Sequence, residues 1–137
     1  VYSEEYYRLF EGYIAQRHQD GDMYPADPEQ FESMFITSRP ECHFLELRLG
    51  QQLVAVAAVD LLLDGLSAIY TFFEPALSKR SLGTLAVLLQ IQTAARLEAP
   101  YVYLGYWISE CRKMAYKSEY QPLEIYQQGK WHLLQEL

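Results

Sequence analysis

The stretch His43-Phe44-Leu45-Glu46-Leu47-Arg48-Leu49-Gly50-Gln51-Gln52-Leu53-Val54-Ala55-Val56-Ala57-Ala58-Val59-Asp60-Leu61-Leu62-Leu63-Asp64-Gly65-Leu66-Ser67-Ala68-Ile69-Tyr70-Thr71-Phe72-Phe73 decides how this chain folds. It holds three apolar or alternating runs, His43 to Leu49, Leu53 to Leu63 and Leu66 to Phe73. Between them stand Gly50-Gln51-Gln52 and Asp64-Gly65. β-Branched and aromatic residues suit a pleated surface, and short Gly-containing separators join antiparallel neighbours. The middle of the chain is therefore expected to be a three-stranded antiparallel meander.

Upstream, two helices are expected. Ser3 is placed to cap a stretch reaching about His18, in which Tyr6, Tyr7, Phe10, Tyr13 and Ile14 recur at helical spacing. After a loop from Gln19 to Ala26, Asp27-Pro28-Glu29-Gln30 combines a capping Asp, a Pro at the first helical position and a Gln three residues after the cap. That short helix ends near Ile36. Downstream of Glu74-Pro75, the Ala- and Leu-rich segment Leu82 to Ala99 sets Leu82, Leu85, Ala86, Leu89 and Thr93 on one face of a long helix. Tyr101 to Leu104 reads as a strand and Ser109 to Lys117 as a helix capped by Ser109. Leu123 to Tyr126 and Trp131 to Leu134 read as a hairpin over Gln127 to Lys130. The order ααβββαβαββ is α+β, a mostly antiparallel sheet flanked by helices. It resembles the acyl-CoA N-acyltransferase superfamily, the GNAT fold, without its usual first strand.

Composition narrows the function. With 137 residues, no repeat and no linker, the chain is expected to be one domain over residues 1–137. Half of it is apolar and 15% aromatic, too much buriable surface for a disordered tail. The longest apolar run, Leu53 to Leu63, contains Asp60 and is far shorter than the ~20 residues of a membrane span, and no charged-then-apolar leader opens the sequence. The expectation is a soluble, cytoplasmic protein with no membrane partner. Cys42 and Cys111 stand apart and in no CxxC spacing, so reduced thiols are expected rather than a disulfide framework or zinc site. The net charge is −7, with 12 acids and 4 bases through Asp64 and 6 acids and 7 bases from Gly65 onward. Such an acid excess opposes binding duplex DNA by phosphate neutralisation, yet leaves room to capture a nucleotide end.

Three places carry candidate chemistry. Arg80-Ser81-Leu82-Gly83-Thr84-Leu85 opens the long helix, where unpaired N–H groups and the positive dipole end favour an anion. In the superfamily this loop has the form Gln/Arg-x-x-Gly-x-Gly/Ala and cradles the pyrophosphate of coenzyme A. Arg80 and Gly83 match it, and Leu85 departs from the small third residue. The competing reading is a glycine that lets helix and strand pack closely beside a solvated Arg. Second, Tyr103, Tyr106 and Trp107 flank Gly105 at a strand end, where they line either a cleft or the core. Third, Lys113 and Lys117, four apart beside Tyr116 and Tyr120, form a basic helix face that is solvated by default.

Tyr103-Leu104-Gly105-Tyr106-Trp107-Ile108-Ser109-Glu110-Cys111-Arg112-Lys113-Met114-Ala115-Tyr116-Lys117-Ser118-Glu119-Tyr120-Gln121-Pro122 also carries a resemblance. With Asp60, Ser67-Ala68-Ile69-Tyr70, Leu82-Gly83 and Trp131, it is similar to the C-terminal domain of aminoacyl-tRNA–protein transferases. That family comprises eukaryotic arginyltransferases and bacterial aspartate/glutamate leucyltransferases. The Cys-x-Lys-Met-x-Tyr-Lys-x-x-Tyr-x-Pro spacing is far more specific than a lone glycine loop. The compact length and Arg17-His18-Gln19-Asp20-Gly21-Asp22-Met23 resemble the bacterial branch. The family's upstream domain carries a cysteine cluster that can hold a metal or iron–sulfur centre. This chain lacks that cluster, so no cofactor or metal is expected within it, and it is expected to be the C-terminal part of a longer protein.

The resemblance implies transfer of an amino acid, leucine ahead of arginine, from the 3′ end of aminoacyl-tRNA to acceptor proteins whose N-terminal residue is Asp or Glu. Such a transfer marks the acceptor for degradation in the N-degron pathway. An ester donor is already activated, and an α-amine of pKa ~7.7 to 8.0 is partly neutral, so positioning supplies much of the rate. The site then needs a cation for the acceptor carboxylate, a pocket for the donor, oxyanion donors and a base. Arg80, Lys113 and Lys117 are the candidate cations. Thr71, with backbone N–H groups from Tyr70 to Phe73, is the candidate oxyanion donor. Asp20 and Asp22 are candidates for a base or an ammonium grip, against a plain Asp-Gly turn. Arg17, Tyr70, Phe72, Gly83, Tyr103, Gly105, Tyr106, Trp107 and Tyr116 complete the expected substrate-binding set. Asp60 is expected to be paired if buried, and His43 and His132 to be packed or exposed rather than catalytic. Two other readings stay open: a coenzyme A-dependent N-acetyltransferase and a non-catalytic recognition domain for acidic N-termini.

Overall fold

The computed structural model describes residues 4–17, 24–36, 41–105 and 116–133, with Arg17, Ile36 and Ser78 described by backbone alone. These residues fall into two compact units divided between Tyr103 and Leu104.

In the first unit, α1 (Glu4–Arg17) starts with Glu4 and Glu5 at the positive end of its dipole. It buries Tyr7, Leu9, Phe10, Tyr13 and Ile14. The chain next forms α2 (Pro28–Phe31), where the Asp27 side chain accepts the Glu29 N–H at 3.0 Å, a cap worth roughly 1 kcal/mol. A wider π-helical turn over Glu32–Ile36 continues it and buries Phe35. The expected second helix thus has the expected span, with a change of pitch after its first turn.

The meander follows as β1 (Cys42–Leu49), β2 (Gln52–Leu62) and β3 (Gly65–Phe73), within a residue or two of the boundaries expected from alternation. β2 pairs antiparallel with both neighbours, and every residue from Leu53 to Asp60 is buried. A 3₁₀ turn, Pro75–Arg80, then leads into α3 (Leu82–Arg96). The turn has no precedent in the sequence reading. The helix stops three residues before the expected Ala99, where Glu98 takes a positive φ of 58° ahead of Ala99-Pro100. β4 (Tyr101–Tyr103) returns parallel to β3, giving the order β1-β2-β3-β4. Gly65 is required at that junction, because a Cβ there would stand 2.3 Å from the Tyr101 carbonyl oxygen.

The sheet separates two layers of packing. On one face α1 and α2 build an aromatic cluster in which Phe10 lies 5.1 Å from Phe31 and 5.5 Å from Phe72, ring centre to ring centre. Each such contact contributes roughly 0.5 to 1.5 kcal/mol beyond area burial. On the other face α3 covers Val59 and Leu66 through Ala94. The buried residues of α3 are Leu82, Ala86, Val87, Gln90 and Ala94, which corrects the expected face: Leu85 points outward.

The register slips between Ala58 and Val59, where Ala58 faces Tyr70 and Val59 faces Ala68. Ile69 is the extra residue of a β-bulge. A bulge shifts the side-chain alternation by one position. Leu66 therefore packs under α3, while Tyr70 and Phe72, which plain alternation would put on the same face, join the α1 cluster.

The second unit contains a 3₁₀ turn at Tyr116–Glu119 and a separate two-stranded sheet, β5 (Glu124–Gln127) and β6 (Lys130–Leu133), joined through Gln128 and Gly129, both at positive φ. The hairpin lies one residue from its expected span. Tyr126 and Trp131 meet across it, edge to face at 5.2 Å. Of the expected helix Ser109 to Lys117, residues 109–115 lie outside the described residues.

Candidate functional site

β3 and β4 run parallel but pair only over Gly65–Ser67 and Tyr101–Tyr103. Beyond Ser67, β3 continues for six residues to Phe73 with no strand on that side among the described residues. Ligands on such parallel pairs bind outside the carboxyl ends of the strands, facing the N-terminus of the following helix. Here that helix is α3. The free side of β3 and the start of α3 make one candidate site, built wholly within the first unit.

Ser81 precedes α3 in the left-handed conformation, φ 53°, and its side chain caps nothing. The Leu85 N–H is used by the Ser81 carbonyl at 3.0 Å. The N–H groups of Leu82, Gly83 and Thr84 are the ones a helix cannot satisfy itself. No Ser, Asp or Thr side-chain cap takes them among the described residues, which leaves them open to an anion. Arg80 stands exposed at the end of the preceding 3₁₀ turn, with no ion pair among the described residues. A Cβ added to Gly83 would meet only the Phe73 ring at 3.7 Å, an ordinary contact. Close helix-to-strand packing therefore does not require this glycine, and the competing structural reading of Gly83 fails.

The bulge at Ile69 sorts the β3 candidates. Thr71 is half-buried on the α3 face, two residues from the strand end that leads to Arg80 and Gly83. Phe72 is 0% exposed within the aromatic cluster, which removes it from the expected substrate-binding set as a core residue. Tyr70 turns the same way, 5.6 Å from Phe35 and 6.3 Å from Tyr13, and burial pushes its phenol up, so it stays protonated. Tyr103 donates its hydroxyl to Asp64 at 2.8 Å, at the β2–β3 turn. That end of the sheet is opposite the start of α3, so the hydroxyl of Tyr103 is directed away from the candidate site. Asp60 is buried in β2, opposite Ser67 and Cys42.

In the second unit, Gly105 has φ 94°, a conformation that L side chains rarely adopt, and a Cβ there would lie 3.5 Å from Lys117 Nζ. The structure thus joins two expected site residues, Gly105 and Lys117, and gives the glycine a backbone reason as well. Tyr116 packs edge to face on Tyr120 at 6.4 Å, and burial raises its phenol above the ordinary value. Neither Tyr70 nor Tyr116 offers a base; each offers a neutral donor. Asp20, Asp22, Tyr106, Trp107 and Lys113, with the side chain of Arg17, lie outside the described residues. His43 and His132 are exposed, the latter 3.2 Å from the Gln127 carbonyl oxygen through Nε2.

Sequence reasoning missed Gln90. It is buried on the inner face of α3, and its Oε1 has no hydrogen-bond partner among the described residues. A polar residue in an otherwise apolar helix is the signal that was available. Among the described residues no three His, Cys, Asp or Glu side chains converge to hold a metal ion, and no helix is long and apolar enough to cross a membrane.

The short parallel pair and the uncapped helix start within a mixed sheet fit the acyltransferase class of α+β fold. The ribosomal-protein-S18-alanine N-acetyltransferase of Escherichia coli superposes with a TM-score of 0.62 over 86% of this chain and 72% of its own, at 14% sequence identity. That likeness is one of fold. At the level of sequence, residues 5–127 match the family described as arginine-tRNA-protein transferase, C terminus, and the chain belongs to that family. Aspartate/glutamate leucyltransferases from Marinobacter nauticus and Alcanivorax borkumensis are 58% and 52% identical to it over 131 and 130 residues. A third, from Pseudomonas savastanoi pv. phaseolicola, is 51% identical over 131. These alignments cover 95 to 96% of this chain and 54 to 56% of the relatives, so the chain spans about half their length.

Proposed function

We propose that this chain is the GNAT-like domain at the C-terminal end of an aminoacyl-tRNA–protein transferase. The reaction is transfer of leucine from leucyl-tRNA to the α-amine of proteins beginning with Asp or Glu, a mark for degradation by the N-degron route in the cytoplasm. The observation that carries this reading is 58% identity, across 96% of the chain, to an aspartate/glutamate leucyltransferase.

The neutral α-amine of the acceptor attacks the ester carbonyl. A C–N amide bond forms, the C–O bond to the tRNA 3′ ribose breaks, and the proton lost by the nitrogen passes to the departing ribose oxygen. The tetrahedral oxyanion needs preorganised donors, for which Thr71 and the first N–H groups of α3 are suited. Arg80 meets a phosphate of the 3′ end or the acceptor carboxylate. Lys113 and Lys117 stay candidate cations, and Gly105, Tyr106, Trp107 and Tyr116 candidate substrate contacts, on the strength of the family resemblance. Asp20 or Asp22 grips the ammonium or takes its proton, and Arg17 stands near them in sequence.

The test is transfer of radiolabelled leucine or arginine from charged tRNA to peptides starting with Asp, Glu, Asn or Gln, using the full-length protein. Leucine should pass to the Asp and Glu peptides. An amide leaves the cation unmatched, so Asn and Gln should fall by about tenfold or more. Transfer of acetyl from acetyl-CoA with none from leucyl-tRNA would overturn the proposal in favour of an N-acetyltransferase on the same fold.

A further inference from the structure

The outer face of α3 differs from the other helical surface of this molecule. From Leu82 to Ala95 the helix carries no charged side chain, in a chain where 21% of residues are charged. Its inner residues are buried. Opposite them, Leu85, Leu88 and Ile91 are 41, 50 and 42% exposed, and Ala95 continues the row, since residues three and four apart share a helix face. Only uncharged Thr84 and Gln92 are exposed among them. α1 shows the contrast, with Glu4, Glu5, Arg8 and Glu11 at its exposed positions. A helix that is uncharged and largely apolar on both sides belongs between two covering layers. The sheet is one of them.

We propose that the second layer is the polypeptide that the longer relatives carry N-terminal to the matched region. The matching family model is that of a C terminus, and the shared span is only 54 to 56% of the relatives' length, leaving nearly as much chain again to cover the face. A covalently joined segment avoids most of the entropy cost of bringing two molecules together. It also needs no charge on the face to steer it there. A second copy suits the face less well: each chain carries −7, and α3 offers no cation before Arg96 to offset the repulsion between copies. The inference is independent of the catalytic reading, so an inactive protein would leave it standing.

The experiment places a photoreactive benzoyl-phenylalanine at Leu88 in the protein as its gene encodes it and maps the cross-links by mass spectrometry. Cross-links within one polypeptide, to residues preceding Val1, are expected. A product of twice the mass that grows with concentration would assign the face to a second copy and overturn the proposal, as would absence of any protein cross-link. Leu88→Ala in the same protein gives a second reading. On a free face the substitution leaves the thermal midpoint unchanged or raises it, because Ala is the better helix former. On a covered face the midpoint falls by about 5 °C or more. An unchanged or raised midpoint overturns the proposal.

Discussion

Gly83→Ala separates the two readings of the α3 start more cleanly than any other change, because its effects on stability and activity have opposite signs. The added methyl meets only the Phe73 ring at 3.7 Å, so nothing in the fold need move. Replacing Gly with Ala removes backbone freedom from the unfolded chain and favours the helix by about 0.5 to 1 kcal/mol. For a domain of this size the thermal midpoint should rise by about 2 to 5 °C. The same methyl stands beside the free N–H groups of Leu82, Gly83 and Thr84. If an anionic group of the substrate or transition state lies there, it is pushed out of hydrogen-bonding range. Losing one charge-assisted hydrogen bond costs about 1.5 to 3 kcal/mol, or roughly ten- to hundredfold in kcat/KM for leucyl-tRNA. The assay pairs thermal unfolding with steady-state leucyl transfer at varied tRNA and peptide concentrations. A raised midpoint with undiminished kcat/KM would refute the placement of substrate at the helix start. A lowered midpoint would show that the glycine is structural after all.

Four further outcomes follow from the same geometry. Gly65→Ala drives a methyl into the Tyr101 carbonyl group and should cost about 1 to 3 kcal/mol in denaturant unfolding, since the atoms it meets first are backbone and cannot swing aside. Phe72→Ala should cost about 3 to 5 kcal/mol, as for a buried ring; a loss of activity at undiminished stability would return it to the substrate site. Thr71→Val should lower kcat by up to ~10²- to 10³-fold, and undiminished turnover would exclude its hydroxyl as an oxyanion donor. The Tyr6 hydroxyl donates to Glu46 and, with Arg48 beside it, holds that carboxyl below its ordinary value. Its contribution is present above the unfolded value of about 4.3 and is lost as pH falls through the lower folded value. Glu46→Gln should therefore flatten the stability profile below about pH 4.3 and leave its slope near neutrality unchanged, measured by urea titration across that range.

The sequence exposed most of the architecture because the chain's apolar residues repeat at the periods of its elements. In the meander, alternation and two short separators suffice to place β1, β2 and β3 within a residue or two. α3 shows where this fails. With no charge between Leu82 and Ala95 there is no polar stripe to mark the solvent side, so Leu85 was placed inward and the buried Gln90 passed unnoticed. The candidate site was legible where chemistry depends on backbone: Gly83 and Gly105 were singled out by residue type, and each sits where no tight packing or only a positive φ accounts for it. It was illegible in β3, where Tyr70, Thr71 and Phe72 look equivalent as consecutive residues of an apolar strand. Only the register slip reveals that two of them turn toward α1.

That slip has a consequence for the way variants of this protein are designed and compared. Because Ile69 is an extra residue, the two halves of β3 are written in opposite phase: a pattern of inward and outward positions taken from Gly65 to Ala68 is inverted when carried to Tyr70 to Phe73. A library that randomises alternate positions along the whole strand would diversify one face in its first half and the other in its second. Deleting Ile69 would join Ala68 directly to Tyr70, opposite Val59 and Ala58, so the regular ladder would keep Thr71 on the α3 face and Phe72 in the aromatic cluster. The single unpaired residue thus acts as a reading-frame marker for the strand: its removal is expected to be silent in side-chain space, while removal of a paired neighbour would throw the strand out of phase.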